Sequence, residues 1–137
     1  MRNACLFALI CLIACCAPRE KLVARNWKIK DVEFETVNDS AAIAFANMAR
    51  QQMKTNINIT MGADSSYTIW QLKDMTATRG KWWFSADKKQ LYTKTDLGIT
   101  EMKVLKLTKK DLVFESKDPS GKTIKMICVA KGPEGSK

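Results

Sequence analysis

Catalysis needs groups that titrate near neutrality, attack or coordinate, and this chain of 137 residues has few of them. It contains no His. That excludes imidazole acid–base chemistry, Ser–His and Cys–His pairs, and His metal ligands. Asp31, Glu33 and Glu35 alternate, so they share one face of an extended segment. Paired carboxylates can exchange protons, but three in a row on a polar face read as solvated groups, their repulsion screened by salt. No glycine-rich phosphate loop and no zinc-type cysteine spacing occurs. The expectation is no catalytic residue, no metal, no cofactor and no enzyme. The remaining reactive groups are thiols: Cys5, Cys11, Cys15, Cys16 and Cys128.

Four of these thiols lie in the first sixteen residues, and their surroundings assign one of them. Met1-Arg2-Asn3 precedes an unbroken apolar run, 4–14. A membrane-spanning helix needs about 20 apolar residues, so this run has the length of a secretory leader instead. It ends Leu12-Ile13-Ala14-Cys15, in the order aliphatic, tolerant, small, Cys. This is the box at which bacterial lipoproteins are processed: a diacylglyceryl group joins the thiol, and cleavage before Cys requires a small preceding residue. Residues 1–14 are therefore expected to be a signal peptide and Cys15 the lipidation site. Residues 15–21 would form a lipidated tether. A plain secretory signal is the alternative. Two acyl chains anchor stably, at about 0.8 kcal/mol per buried methylene. Export permits disulfides. Cys128 sits in an apolar strand, where a small buried hydrophobe is expected; whether it pairs with Cys16 stays open.

The elements that carry these groups follow from periodicity. Asn38-Asp39-Ser40 offers N-caps for one helix over 41–54, with apolar positions Ile43, Ala46, Ala49 and Met53 near the helical repeat. Its Met-bearing face reads as a core-packing face or lid. The rest alternates with period two and is cut by short turns. Strands are expected at 57–61, 67–72, 81–85, 91–95, 100–108, 112–116 and 123–131. A long first strand is expected at 22–35, with a bulge where apolar parity shifts between Trp27/Ile29 and Val32/Phe34. No repeat or interior linker interrupts 22–131; 132–137 is a tail. The expected fold is all-β: an eight-stranded antiparallel up-and-down barrel with one helix between the first two strands. Closure removes exposed edges, and eight strands leave room for side chains or one small ligand.

Apolar residues make up 46% of the chain, ample for a core. There are four Trp. Trp27 reads as a core plug. Trp82 and Trp83 are neighbours in a strand and must face opposite ways. Trp70 shares parity with Leu72, and Tyr67 with Ile69; either set suits the lumen. The candidate pocket wall is Ile57, Ile59, Met61, Trp70 and Trp82, with a filled core as the competing reading.

Net charge is +9, falling to +8 without Arg2. No nucleic-acid motif accompanies it. The lysines, among them Lys28, Lys73, Lys103 and Lys117, are scattered and read as a solvated face, with attraction to anionic headgroups as the alternative.

Three stretches resemble one family. Leu22-Val23-Ala24-Arg25-Asn26-Trp27 follows soon after Cys15. Arg79-Gly80-Lys81-Trp82 opens a strand, turn and strand that run to Leu91. Val104 to Phe114 forms a late hairpin. Together they resemble the small lipocalin-like lipoproteins of Gram-negative bacteria, especially the Bacteroidota type. Arg25 stands where that family carries Gly. The resemblance implies a lipid-anchored cell-envelope protein whose barrel binds a small apolar ligand or lipid. The alternative is a non-catalytic structural or interaction module with a filled barrel and an envelope protein partner. Asp does not follow Cys15, so the family's sorting logic implies the outer membrane, facing the periplasm. Nucleic acid is not an expected partner.

Overall fold

The structure, a computed structural model, describes residues 18–35 and 39–132. Cys15, Cys16 and the leader lie outside them. The chain runs α1 (Arg19–Val23), β1 (Asn26–Phe34), α2 (Ser40–Asn56), β2 (Ile57–Met61), β3 (Ser66–Gln71), β4 (Thr76–Phe84), β5 (Gln90–Thr95), β6 (Gly98–Leu107), β7 (Asp111–Lys117) and β8 (Thr123–Ala130). The eight strands close in sequence order into an antiparallel barrel, β8 pairing with β1. The expected fold, including the helix between the first two strands, is the observed one.

The start of the barrel departs from the expected long strand. Arg19–Val23 is a helical turn, not extended chain. Glu20 in its first turn and Lys21 in its last suit the helix dipole. Val23 is fully buried, and its carbonyl accepts a hydrogen bond from Trp27 Nε1 at 2.9 Å. Part of the expected tether thus belongs to the folded unit, where it closes one end of the barrel. The bulge is where parity placed it: the β1–β8 register shifts between Ile29 and Asp31, turning Val32 inward.

Helix α2 starts on an Asp39 cap whose carboxylate accepts from the Ala41 N–H. It does not enter the core; none of its side chains is fully buried. It lies against β1 because β2 is too short to cover that strand. β2 pairs only with Asn26 to Lys28. Above them, Arg50 Nε donates to the Val32 carbonyl at 2.9 Å and ion-pairs with Asp31 at 3.5 Å, so a helix side chain supplies the donor a neighbouring strand would have given.

Register defines two ends. α1 and the turns 62–65, 85–89 and 108–110 gather at the closed end. The α2 connection and the turns 72–75, 96–97 and 118–122 gather at the open end. Large side chains fill the closed half: Val23, Trp27, Met61, Trp82, Leu91 and Leu112 are all buried.

Candidate functional site in the open half of the lumen

On three strands the inward positions give way to small residues toward the open end. On β4 they run Trp82, Gly80, Thr78; on β5, Leu91, Thr93, Thr95; on β7, Leu112, Phe114, Ser116. Bulky groups fill the bottom, while hydroxyls and glycine leave space above. The result is a cavity of about 350 Å³ opening at the mouth. That is near the lower limit for small-molecule sites, roughly 300–1,000 Å³.

Its wall is apolar: Ile29, Ile59, Ile69, Met102, Phe114 and Met126 surround the space, and α2 contributes Met53. Thr78, Thr93, Thr95, Ser116 and Gln71 place a polar band among them, and Leu97 and Ile99 stand at the rim. Among the described residues no charged side chain lines the cavity. A buried ion without a partner is strongly disfavoured in such surroundings, so the chemistry suits a neutral apolar molecule with one or two hydrogen-bonding groups.

Tyr67 supplies the polar focus. Burial pushes its phenol up to about 12, nearby Cys128 adds to the shift, and a hydrogen bond with Thr93 opposes it. The phenol stays protonated and able to donate. Burial also pushes the Cys128 thiol up to about 12. A thiol so held is neither nucleophile nor metal ligand at neutral pH. Among the described residues no group of His, Cys, Asp or Glu is arranged to hold a metal.

These two shifts make the fold sensitive to alkali. Both are acids whose folded value lies above the ordinary one, 9.0 for the thiol and 10.0 for the phenol. Their neutral forms are compatible with folding, so stability is full below about pH 9 and is lost as pH climbs toward 12. The thiol alone accounts for on the order of 4 kcal/mol when fully ionised. Thermal melts from pH 7 to 11 should show a flat midpoint that falls steeply above pH 9. In Cys128→Ala the midpoint starts lower, yet its alkaline fall is shallower. An equal fall in both proteins would assign the loss elsewhere.

Of the residues expected in the pocket, Ile57 and Ile59 line the cavity. Met61 and Trp82 face inward but belong to the packed bottom. Trp82 Nε1 donates to the Gly62 carbonyl at 3.0 Å, and its ring meets Phe84 edge-on at 5.9 Å. Trp70 does not face the lumen. It pairs with Asn58 and Ile69 pairs with Ile59, so the register turns Trp70 outward, where its Nε1 donates to Thr60 Oγ1. Trp83 also faces out, stacked on Tyr92 at 5.6 Å. Tyr67, Thr93, Met102, Phe114 and Met126 were not among the expected wall. The signal for Thr93 was present: Thr93 and Thr95 follow Leu91 at every second position toward the mouth, as Thr78 and Thr76 follow Trp82 beyond Gly80.

The alternating carboxylates serve the scaffold. Asp31 pairs with Arg50, Glu33 with Lys125 at 3.6 Å, and Glu35 accepts from the Thr123 N–H at 2.8 Å. No helix among the described residues is long and apolar enough to cross a membrane.

No protein-family model and no curated protein matches the chain. Among solved structures it is similar to a DUF4847 family protein from Bacteroides vulgatus ATCC 8482, with 12% identity, 83% of this chain and 96% of that chain covered, and a TM-score of 0.46.

Proposed function

We propose that this protein is a non-catalytic, lipid-anchored envelope protein of the lipocalin-like type that binds one small, neutral, apolar molecule in the open half of its barrel. The observation that carries the binding reading is the uncharged cavity of about 350 Å³ above a packed bottom. A barrel built only as a scaffold has no need of that gradient, since large residues at Thr78, Thr93 and Ser116 would bury more apolar area. The anchor rests on Leu12-Ile13-Ala14-Cys15, and the expected location is the outer membrane, facing the periplasm. A second reading, an interaction module, is favoured by α2, whose outer face exposes Phe45 and Met48 to water.

Mass spectrometry separates the readings. The full chain, purified from its native membrane in mild detergent, is expected to carry a single neutral ligand in the native spectrum and to lose it on denaturation. Ile69→Trp places an indole in existing space, so it should cost little stability while lowering occupancy at least tenfold. An empty wild-type barrel together with a co-purifying protein would favour the interaction module. The denatured spectrum reads the anchor: a mature chain without acyl mass on Cys15 would refute it.

A further inference from the structure

Basic charge gathers at one end of the barrel, although the lysines look scattered in sequence. At the closed end, α1 and its exit hold Arg19, Lys21 and Arg25 against Glu20. The 85–89 turn adds Lys88 and Lys89 against Asp87, and Lys88 pairs with Glu20. The 108–110 turn adds Lys109 and Lys110 with no acid, and Lys131 lies beside it. Asp64 and Asp111 are the remaining acids there, Asp111 pairing with Lys106, leaving basic residues ahead by nine to four. At the open end the described connections, α2 included, hold Glu35, Asp39, Asp74, Asp96 and Asp118 against Arg50, Lys54, Lys73 and Lys122, close to balance.

The chain enters at the basic end. Pro18 leads directly into α1, three residues after Cys15. Extended chain spans at most about 3.6 Å per residue, so the first residue of α1 can lie no further than about 14 Å from the Cα of Cys15. That is under two Debye lengths of about 8 Å at physiological salt. The mouth stands roughly 20 Å further out, from nine-residue β1 at about 3.3 Å per residue and a tilt of about 40°. Attraction to anionic headgroups therefore acts on the closed end and is screened at the mouth.

We infer that the closed end is a membrane-facing surface that rests on anionic phospholipid headgroups and holds the mouth pointing away from the bilayer. The inference rests on the lipid-anchor reading for its reach, and on the charge segregation alone for its chemistry. Each basic residue at such a surface contributes roughly fivefold to association. A ligand then exchanges at the aqueous side, or with a partner beyond it, and not sideways from the anchoring bilayer.

The test is amine acylation of the full chain on vesicles, read by peptide mass spectrometry. On phosphatidylglycerol vesicles, Lys21, Lys89, Lys109 and Lys110 should label at least threefold less than Lys73 and Lys122. The difference should vanish on phosphatidylcholine and near 1 M salt. Lys109→Glu with Lys110→Glu should abolish protection of Lys21 and Lys89 while leaving the thermal midpoint unchanged. Equal labelling of both ends on phosphatidylglycerol, or protection of Lys73 and Lys122, overturns the inference. The same spectra report acyl mass on Cys15, so the two readings fail separately. An unacylated chain with protected closed-end lysines removes the anchor and keeps the surface. An acylated chain with unprotected lysines does the reverse.

Discussion

Trp27→Ala is expected to cost 3–5 kcal/mol, about the range for deleting a large aromatic from a packed core. Native domains hold only about 5–15 kcal/mol in total, so a substantial fraction of the variant should be unfolded at 37 °C. Several links break at once. Trp27 is fully buried where α1 meets the barrel. Its Nε1 holds the Val23 carbonyl, and without it α1 loses the bond that ties it down. The Arg25 guanidinium lies 5.7 Å from the Trp27 ring and also donates to the Lys109 carbonyl, so it loses its packing surface as well. Trp83→Ala is the matched control. That ring is 39% exposed and stacked on one neighbour, and its loss should cost about 1 kcal/mol. Urea unfolding of the two variants measures the contrast. Equal midpoints would mean that the closed end does not depend on Trp27.

Gly80→Ala should be nearly as damaging, by a different route. A methyl at Gly80 would overlap the carbonyl oxygen and carbon of Lys94 on the adjoining strand. Both are backbone, so β4 and β5 would have to separate just where the ladder begins at Lys81↔Lys94. Overpacking against a core typically costs about 1–3 kcal/mol, and a clash with backbone belongs at or above the top of that range. Gly62→Ala makes the comparison informative. Its added methyl would meet only Ser66 Oγ, Ser66 Cβ and Asp64 Oδ1, side-chain atoms of a surface turn that can swing aside. Its cost should stay near 1 kcal/mol. If Gly80→Ala melts with wild type, strand spacing at this point is softer than the geometry implies. On the proposed binding reading, a lower melting point should also come with lower ligand occupancy, because Gly80 lies between the packed Trp82 and the cavity-lining Thr78.

The basic closed end and the open half of the lumen have a common origin in the up-and-down topology. Every hairpin turn is assigned to one end or the other by strand count alone. Residues far apart in sequence, such as Lys21, Lys89 and Lys109, therefore share a surface. Likewise Thr78, Thr95 and Ser116 gather near the mouth because each lies toward the open end of its strand.

Legible in the sequence were the eight strands, although β4 starts at Thr76 and not at 81 and β1 at Asn26 and not at 22, together with the α2 helix and its cap, the bulge in β1 and the opposite facing of Trp82 and Trp83. Each follows from local rules: period-two or helical patterning, turn residues, and alternation of side chains across a strand. It also determined the poverty of acid–base groups. Parity within one strand says which residues share a face, but not which face is inside. The Trp70 set and the Tyr67 set were equivalent until pairing with β2 turned Tyr67 and Ile69 inward. Residues 19–21 read as tether and Leu22 and Val23 as the start of a strand, because those two apolar residues suit either structure. Only contact with the barrel bottom, through buried Val23 and the Trp27 indole, decides for helix. The depth of a residue along the barrel, which separates packed Met61 and Trp82 from cavity-lining Ile57 and Ile59, depends on the register of all eight strands. So does the gathering of basic turns at one end, because charge adds up in space and not along the chain.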